Sequence, residues 1–213
     1  MHIDVWSDVV CPWCYLGKRR LEAALERVAG TLPPVSVRWR AFQLDPTAGS
    51  EPRPLAPVIE RKYGPGAFEA MTARLVPLGR EVGIDYRFDR VQRVTSIDAL
   101  RLAAWADDSA GAEAAERLHD RLFEAYFTEG GNIADRSELA RWAGDVGLDT
   151  EDAAWALAAG AGAAAVRADL ESALERGITA VPAFVFEDRW IVPGAQDVDT
   201  MVQILRRVAD KVA

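Results

Sequence analysis

Cysteine and histidine are scarce in this chain. Its 213 residues include two of each, and the two cysteines, Cys11 and Cys14, are separated by only two residues. A structural zinc site needs four ligands, usually supplied by two such cysteine pairs or by additional histidines. Because only His2 and His119 are available to complete the set, we expect no metal site within one chain. A metal shared between two copies of the chain is the remaining alternative.

The sequence also lacks an excess of positive charge and a long apolar run. Its formal net charge is −8, which argues against nucleic acids and anionic membrane surfaces as partners, because both favour basic patches. The longest apolar runs are much shorter than the roughly 20 residues of a membrane-spanning helix. The first residues have no basic segment typical of a secretory signal peptide. We therefore expect a cytoplasmic protein with no nucleic-acid or membrane partner.

The pattern of apolar residues predicts an α/β fold that is interrupted by helices. Residues 2–6 and 35–42 alternate like strands and flank a helix, which makes a βαβ unit with parallel strands. Residues 45–162 are predicted to be helices and loops, with the Pro-rich residues 46–57 as a connection. An α-β-β-α pattern returns in residues 163–213. Its first helix places Leu174 on one face with Val166 and Leu170, its strands flank a tight turn at Asp188-Arg189, and its last helix starts at Asp197. We predict two domains, one formed by residues 1–44 and 163–213 together and one formed by the helical insertion.

The segment Cys11-Pro12-Trp13-Cys14 has the clearest chemistry. It follows a predicted strand and opens a predicted helix, which is the context typical of a redox-active Cys-x-x-Cys motif. The start of a helix favours a negative charge by roughly 0.3–2 kcal/mol. Cys11 lies at this end, whereas Cys14 falls on the apolar stripe of the helix, so we predict that Cys11 is the nucleophile and Cys14 the resolving thiol. Two inert core cysteines are the ordinary alternative.

Val181 and Pro182 form a second candidate segment. A proline cannot donate to a strand ladder, so an ordinary edge or turn proline is the simplest interpretation. The more specific one is a cis Val181–Pro182 bond facing Cys11, which would leave the backbone of Val181 free to bind an extended substrate. Pro12 and Trp13, which the motif places near the surface, are predicted to contribute an apolar patch for substrate binding.

Five polar residues allow less specific predictions. Asp8 either takes up a proton during thiol exchange or caps the loop before the motif. Lys18, Arg19 and Arg20 are expected to form a solvated helix face rather than a site that attracts acidic substrates. His119 is expected at the surface or at its boundary.

Several segments resemble the DsbA family of thioredoxin-fold proteins, in its FrnE-like branch. They are residues 7–18 (SDVVCPWCYLGK), 125–130 with Ile133, 177–184 (GITAVPAF) and 194–196 (GAQ). The resemblance covers nearly the whole chain and implies a thioredoxin-like βαβ-αββα core with an all-helical insertion. Residues 95–101 (TSIDALR) differ from the Asn-Thr-x-x-Ala-His-Arg block of the branch, because the Asn and the His are absent.

The resemblance implies a thiol-disulfide oxidoreductase that acts on disulfide-containing proteins or small thiols. It implies no tightly bound cofactor, with glutathione as the candidate reductant or cosubstrate, and it is compatible with a homodimer. The branch is also similar to 2-hydroxychromene-2-carboxylate isomerase and the kappa-class glutathione transferases, which usually have Ser at the position of Cys11 and lack the resolving cysteine. The presence of Cys11 and Cys14 favours redox chemistry over a glutathione-dependent isomerase or transferase for small aromatic substrates. A non-catalytic binding module is a third alternative.

Overall fold

The structure is a computed structural model and describes residues 1–212. Its strands are β1 (His2–Ser7), β2 (Ser36–Ala41), β3 (Arg53–Pro54), β4 (Gln92–Arg93), β5 (Ala183–Phe186) and β6 (Trp190–Pro193). Its α-helices are α1 (Pro12–Val28), α2 (Ala56–Tyr63), α3 (Ala67–Arg80), α4 (Ile97–Ala110), α5 (Ala112–Glu124), α6 (Arg136–Asp145), α7 (Thr150–Ala159), α8 (Ala163–Glu175) and α9 (Val198–Val212), with a π-helical segment at Ala125–Glu129.

Four strands form a mixed sheet in the order β2-β1-β5-β6. The central strand β1 pairs in parallel with β2 and antiparallel with β5, and β5 pairs antiparallel with β6. Alternate residues of β1 face opposite sides because successive side chains of a strand alternate. Ile3 and Val5 pack toward α1 and α9, whereas Trp6 packs toward α8. Helices therefore cover both faces of the sheet, and the predicted α/β fold with its helical insertion is confirmed.

Helices α2 to α7 form a block that packs directly against the start of α1. One hydrophobic cluster includes Cys11, Cys14 and Leu16 together with Leu122 and Trp142 of the block. The segment that contains both cysteines is therefore covered by residues that follow it by a hundred positions or more. The division into two domains stays a prediction from the sequence.

Parts of the block and the last hairpin differ from the predictions. Residues 46–57 were expected to be a connection, but they contain β3, which pairs with β4, and the start of α2. The hairpin between β5 and β6 turns at Glu187 and Asp188, both with positive φ, rather than at Asp188 and Arg189. Leu174 was expected on the buried face of α8, yet it is 78% exposed. No helix within residues 1–212 has the length and apolar character needed to cross a membrane.

The prediction of a solvated helix face is wrong for Lys18. Helix α5 packs alongside α1 and buries the whole Lys18 side chain. The Lys18 Nζ atom forms ion pairs with Asp120 at 3.0 Å, with Glu116 at 3.5 Å and with Glu22. Burial alone would lower the pKa of Lys18, but these carboxylates outweigh it and raise the pKa above its ordinary value. Lys18 is therefore a buried cation that joins α1 to the helical block.

The prediction is also wrong for Arg20 and only partly right for Arg19. Arg20 is buried, and its guanidinium donates a hydrogen bond to the carbonyl oxygen of Ala195 at 2.9 Å. The Arg19 side chain is one-third exposed, at 33%, and pairs with Glu22 at 3.0 Å. Arg20 is therefore bound to the segment after β6, and Arg19 to a neighbour on α1 itself.

His119 was expected near the surface, but the structure buries it between α5 and the sheet. Its ring lies 5.4 Å from the ring of Trp39. Burial, and then the positive charge of Lys18, lower the pKa of His119 to about 3. The side chain is therefore a neutral core residue at physiological pH.

Candidate active site

The two cysteines lie at the junction of β1 and α1. Cys11 is the N-cap residue of α1, with extended backbone angles, and Pro12 is the first helical residue. The carbonyl oxygen of Cys11 accepts hydrogen bonds from the backbone N–H groups of Cys14 at 3.0 Å and Tyr15 at 3.3 Å. A side-chain acceptor at an N-cap lies within reach of the second and third helical amides, which belong here to Trp13 and Cys14. The start of a helix favours negative charge in general, while the neutral Cys11 thiol makes no such cap hydrogen bond.

The two thiols have different environments. Both are free thiols in the structure, but Cys14 is completely buried whereas Cys11 keeps 3% of its surface exposed. Burial, followed by the neighbouring Cys11, raises the pKa of Cys14 well above its ordinary value. Cys11 is therefore the slightly more accessible thiol, and the buried Cys14 thiol is held in its protonated form.

Val181 and Pro182 face Cys11. The Val181–Pro182 peptide bond is cis, and the Cys11 Sγ atom donates to the carbonyl oxygen of Val181 at 3.7 Å. Val181 is half-buried, Pro182 is buried, and the Pro182 carbonyl oxygen accepts from Gly194 N–H at 2.7 Å. The half-buried backbone of Val181 thus lies beside the Cys11 thiol.

A glycine in α1 allows this loop to approach the helix. A Cβ atom placed on Gly17 would lie 3.0 Å from Cγ of Pro182 and 3.3 Å from Cζ of Phe184. Contacts of this length are tighter than ordinary van der Waals packing, so a larger residue would displace the loop. Gly17 belongs to the segment of residues 7–18, which supplies both the thiols and the close contact with Pro182.

Trp13 and Pro12 are both half-buried. The guanidinium of Arg74, from α3, lies 5.1 Å above the Trp13 ring in cation-π geometry. The Pro12 carbonyl oxygen accepts a hydrogen bond from the Tyr86 hydroxyl at 2.5 Å. The helical block therefore contacts both residues between the cysteines and leaves part of each exposed.

Asp8 lies beneath the motif as a completely buried carboxyl group. It accepts hydrogen bonds from the backbone N–H groups of Leu44 at 2.7 Å and Val10 at 3.4 Å, and from the Ser96 hydroxyl. Burial raises the pKa of Asp8 to about 6, although these hydrogen bonds partly oppose the rise. The carboxyl group thus links the loop before the motif to the segments after β2 and before α4. Ser96 belongs to residues 95–101, the block that departs from the FrnE-like pattern.

Sequence reasoning missed Tyr86. It lies in an extended segment after α3 in which the buried residues Ile84, Tyr86 and Phe88 alternate with exposed or half-buried ones. Alternation of this kind is typical of a segment that presents one face to a core. The pattern indicated that Tyr86 is buried, but nothing in it pointed to Pro12 as its partner.

Comparisons with known proteins agree with this geometry. A protein-family model described as a DSBA-like thioredoxin domain matches residues 2–206. The uncharacterized protein YwbO of Bacillus subtilis (strain 168) is 30% identical over 202 residues, which cover 93% of this chain and 92% of that protein.

Two solved structures share the architecture. A probable DsbA oxidoreductase from Streptomyces coelicolor is 31% identical, with a TM-score of 0.87 over 98% of this chain and 89% of that one. The cytosolic disulfide reductase DsbM from Pseudomonas aeruginosa, solved with GSH, is 20% identical, with a TM-score of 0.68 over 97% of this chain and 98% of that one, and shows the fold alone. The matched residues include the cysteine motif, all six strands and the helical block, so the chain belongs to the DSBA-like thioredoxin domain family.

Proposed function

We propose that the protein is a thiol-disulfide oxidoreductase in which Cys11 attacks and Cys14 resolves. The contrast between the two thiols is the observation that carries this proposal. Cys11 lies at the start of α1 with part of its surface exposed, and Cys14 lies one helical turn further, buried and protonated. In a pair of this kind, the accessible sulfur attacks the substrate disulfide and the buried sulfur resolves the mixed disulfide.

The proposed cycle consists of two thiol-disulfide exchanges. The Cys11 thiolate attacks one sulfur of a substrate disulfide, the substrate S–S bond breaks, and one substrate sulfur leaves as a thiolate. Cys14 then attacks the Cys11 Sγ atom of the mixed disulfide, and its proton is transferred to the second substrate sulfur as that sulfur leaves. The substrate gains two electrons and the Cys11–Cys14 pair loses two. The same steps in reverse oxidise a substrate dithiol.

The surface around Cys11 fits an extended substrate. The backbone of Val181 is half-buried beside the nucleophile, where it offers the hydrogen-bonding groups of one strand residue. The exposed parts of Pro12 and Trp13 add apolar area on the other side of Cys11. We propose disulfide-containing proteins and small disulfides as substrates of this surface.

We propose glutathione as the small thiol that restores the reduced pair, and the cytoplasm as the place of action. DsbM, which shares the fold, is a cytosolic disulfide reductase that was solved with GSH. Two glutathione molecules supply the two electrons and form one glutathione disulfide. The low cysteine content also fits a reducing compartment, where a single Cys-x-x-Cys motif is redox-active rather than a permanent structural disulfide.

Replacement of each cysteine by serine tests the proposal. We expect Cys14→Ser to accumulate a mixed disulfide through Cys11, because nothing resolves it. Cys11→Ser should form no adduct and lose more than about 10²-fold of the reductase activity, because a serine hydroxyl cannot form a disulfide. Reduction of insulin with glutathione measures the activity, and intact-protein mass spectrometry measures the adduct.

The double variant Cys11→Ser/Cys14→Ser is the matched control for loss of both thiols. Full reductase activity in Cys14→Ser would contradict the proposal. If the wild-type protein also isomerised or conjugated an aromatic substrate only with glutathione present, the glutathione-dependent isomerase or transferase would replace it.

A further inference from the structure

We propose that Tyr86 is a positioning residue that shifts the redox equilibrium of the Cys11–Cys14 pair toward the dithiol. The inference rests on the proposed oxidoreductase function. Its basis is the hydrogen bond of 2.5 Å from the Tyr86 hydroxyl to the carbonyl oxygen of Pro12, between the two cysteines. This bond reaches the motif from a segment 74 residues away in the chain.

Neighbouring aromatic rings hold Tyr86 in place. Its ring stacks on Phe88 at 5.1 Å and meets Phe127 and Tyr15 edge-on at 5.5 Å and 6.0 Å. The residue keeps only 4% of its surface exposed. A Cβ atom on Gly79 of α3 would lie 2.6 Å from the Tyr86 ring, so the glycine leaves room for it. The hydroxyl therefore has a fixed direction, which is toward the start of α1.

The Pro12 carbonyl connects the hydroxyl to the nucleophile. Pro12 and Trp13 share one peptide group, and the N–H of Trp13 is the second helical amide, which a side-chain acceptor at the N-cap can bind. The neutral Cys11 thiol makes no such bond and donates to the Val181 carbonyl oxygen instead, so the Trp13 donor serves Cys11 when the thiol is ionised. A hydrogen bond to the oxygen of a peptide group polarises it and strengthens the N–H donor at its other side. The Tyr86 hydroxyl, bound to one side of the Pro12–Trp13 peptide group, thus strengthens the Trp13 N–H on the other side as a donor to the Cys11 thiolate.

The hydroxyl stays a donor throughout the working range of pH. Burial, and then the neighbouring Cys11, raise the pKa of Tyr86 above its ordinary value. A neutral phenol at this position favours the thiolate of the reduced pair. The disulfide carries no charge and gains much less from the same donor. Loss of the hydroxyl should therefore move the equilibrium toward the disulfide.

The equilibrium between the protein dithiol plus glutathione disulfide and the protein disulfide plus two glutathione molecules tests this proposal. We expect Tyr86→Phe to shift the equilibrium constant toward the protein disulfide by about 1.3- to 4-fold, because polarisation changes a hydrogen bond to a charged group by roughly 10–30%. Alkylation of Cys11 by iodoacetamide at neutral pH, measured in a Cys14→Ser background, should slow in the same direction. Neither measurement requires substrate turnover, so failure of the oxidoreductase function and failure of the Tyr86 role are separate results.

Tyr126→Phe is the matched control. Tyr126 is also buried in the block, but its hydroxyl donates to the carbonyl oxygen of Gln92 at 2.7 Å, outside the motif. We expect this variant to lose stability without a shift in the equilibrium constant. Gly79→Ala, which pushes on the Tyr86 ring, should shift the constant in the same direction as Tyr86→Phe. An unchanged constant in Tyr86→Phe, or an equal shift in Tyr126→Phe, would overturn the proposal.

Discussion

Asp8 is a buried carboxyl group that joins neighbouring segments, and its ionisation lowers the stability of the folded protein. Its oxygens accept the hydrogen bonds from Leu44, Val10 and Ser96 that join three segments beside the motif. Burial raises its pKa to about 6 from an ordinary value of 3.8. The folded protein therefore binds this proton more tightly than the unfolded chain does. The resulting contribution to stability is complete below about pH 4 and is lost as the pH rises through 6.

The Asp8→Asn variant tests this consequence. The rise in the pKa of Asp8 corresponds to about 3 kcal/mol of free energy of unfolding, which the wild-type protein loses as the pH rises from 4 to 7. We expect the stability of the variant relative to the wild-type protein to increase by about that amount over this range, because the amide has no charge to bury. Urea denaturation at several pH values measures the difference. His119 has the opposite pH dependence, but both proteins contain it and it cancels.

Asp210→Asn, which removes an exposed carboxyl group of α9, controls for the general effect of lost negative charge. Parallel stability profiles for the wild-type protein and Asp8→Asn would show that the buried carboxyl group does not titrate in this range.

Among individual residues, the sequence predicted those that belong to short contiguous motifs. Cys11, Cys14 and the pair Val181-Pro182 were identified because their chemistry depends on near neighbours in the chain. The environments of Asp8 and Tyr86 depend on residues that are distant in sequence, and a single sequence does not reveal such pairs. The polar character of Lys18 was misleading because two of its three carboxylate partners, Glu116 and Asp120, lie on a helix about a hundred positions later.

Helix α1 and the Pro182 loop meet at Gly17, and this contact sets how near the loop lies to Cys11. Alanine is favoured over glycine inside a helix by about 1 kcal/mol. The clash of an added methyl group with Pro182 and Phe184 costs about 1–3 kcal/mol. The energy of the clash equals or exceeds the gain in helix propensity. The clash therefore determines the sign of the change in the free energy of unfolding.

We therefore expect Gly17→Ala to lower the free energy of unfolding by up to about 2 kcal/mol, the difference of those terms. Reductase activity should fall as well, because displacement of Val181 disturbs the alignment of a substrate with Cys11. Urea denaturation and insulin reduction measure the two effects. Gly49→Ala is the control, because no atom lies within 4 Å of its added methyl group. Unchanged activity in Gly17→Ala would contradict the importance of this contact.

The longer elements were predictable because their apolar residues repeat over several turns or alternate over several positions. β1, α1 and α9 are of this kind, and each was predicted close to its observed position. β3 and β4 contain two residues each, which is too short for any period to be visible. The π-helical segment Ala125–Glu129 was also not distinguishable, since its residues continue the helical spacing of α5.

Lys18 links the sheet-bound helix α1 to the helical block and so contributes to the arrangement of the whole molecule. Its positive charge is surrounded by Glu22, Glu116 and Asp120. Loss of one partner of a fully buried ion pair costs about 3–5 kcal/mol. The carboxylates around Lys18 are partly exposed, so solvent reduces the cost of leaving them without this cation. The neighbouring Arg19 is bound to Glu22 and Asp120 as well, but it is partly exposed.

We expect Lys18→Met to lower the free energy of unfolding by about 1–3 kcal/mol, as measured by urea denaturation. Adding Asp120→Asn should recover part of the loss, since it removes one of the uncompensated carboxylates. Lys62→Met, at an exposed position of α2, is the matched control and should change stability little. Equal effects of the two lysine substitutions would show that the buried ion cluster does not stabilise the molecule.

The fold of the whole molecule was predictable from the resemblance of several segments to one family. The packing of the helical block on the cysteine motif was not, because it depends on how α3 and α5 dock against α1. The sequence predicted the insertion as a second domain but did not indicate which of its residues contact the motif. The structure places residues of the insertion, including Tyr86 and Arg74, against the residues between the cysteines.

The position of β1 between β2 and β5 has a consequence for biosynthesis. Cys11 is translated near the start of the chain, but its partner Val181 follows 170 residues later. At 5–20 residues per second, the ribosome needs roughly 10–30 s to synthesise the intervening segment. During that time β1 has one unpaired edge and the dithiol is not yet enclosed by its final neighbours. The nascent chain thus carries both thiols well before the residues that enclose them have been synthesised.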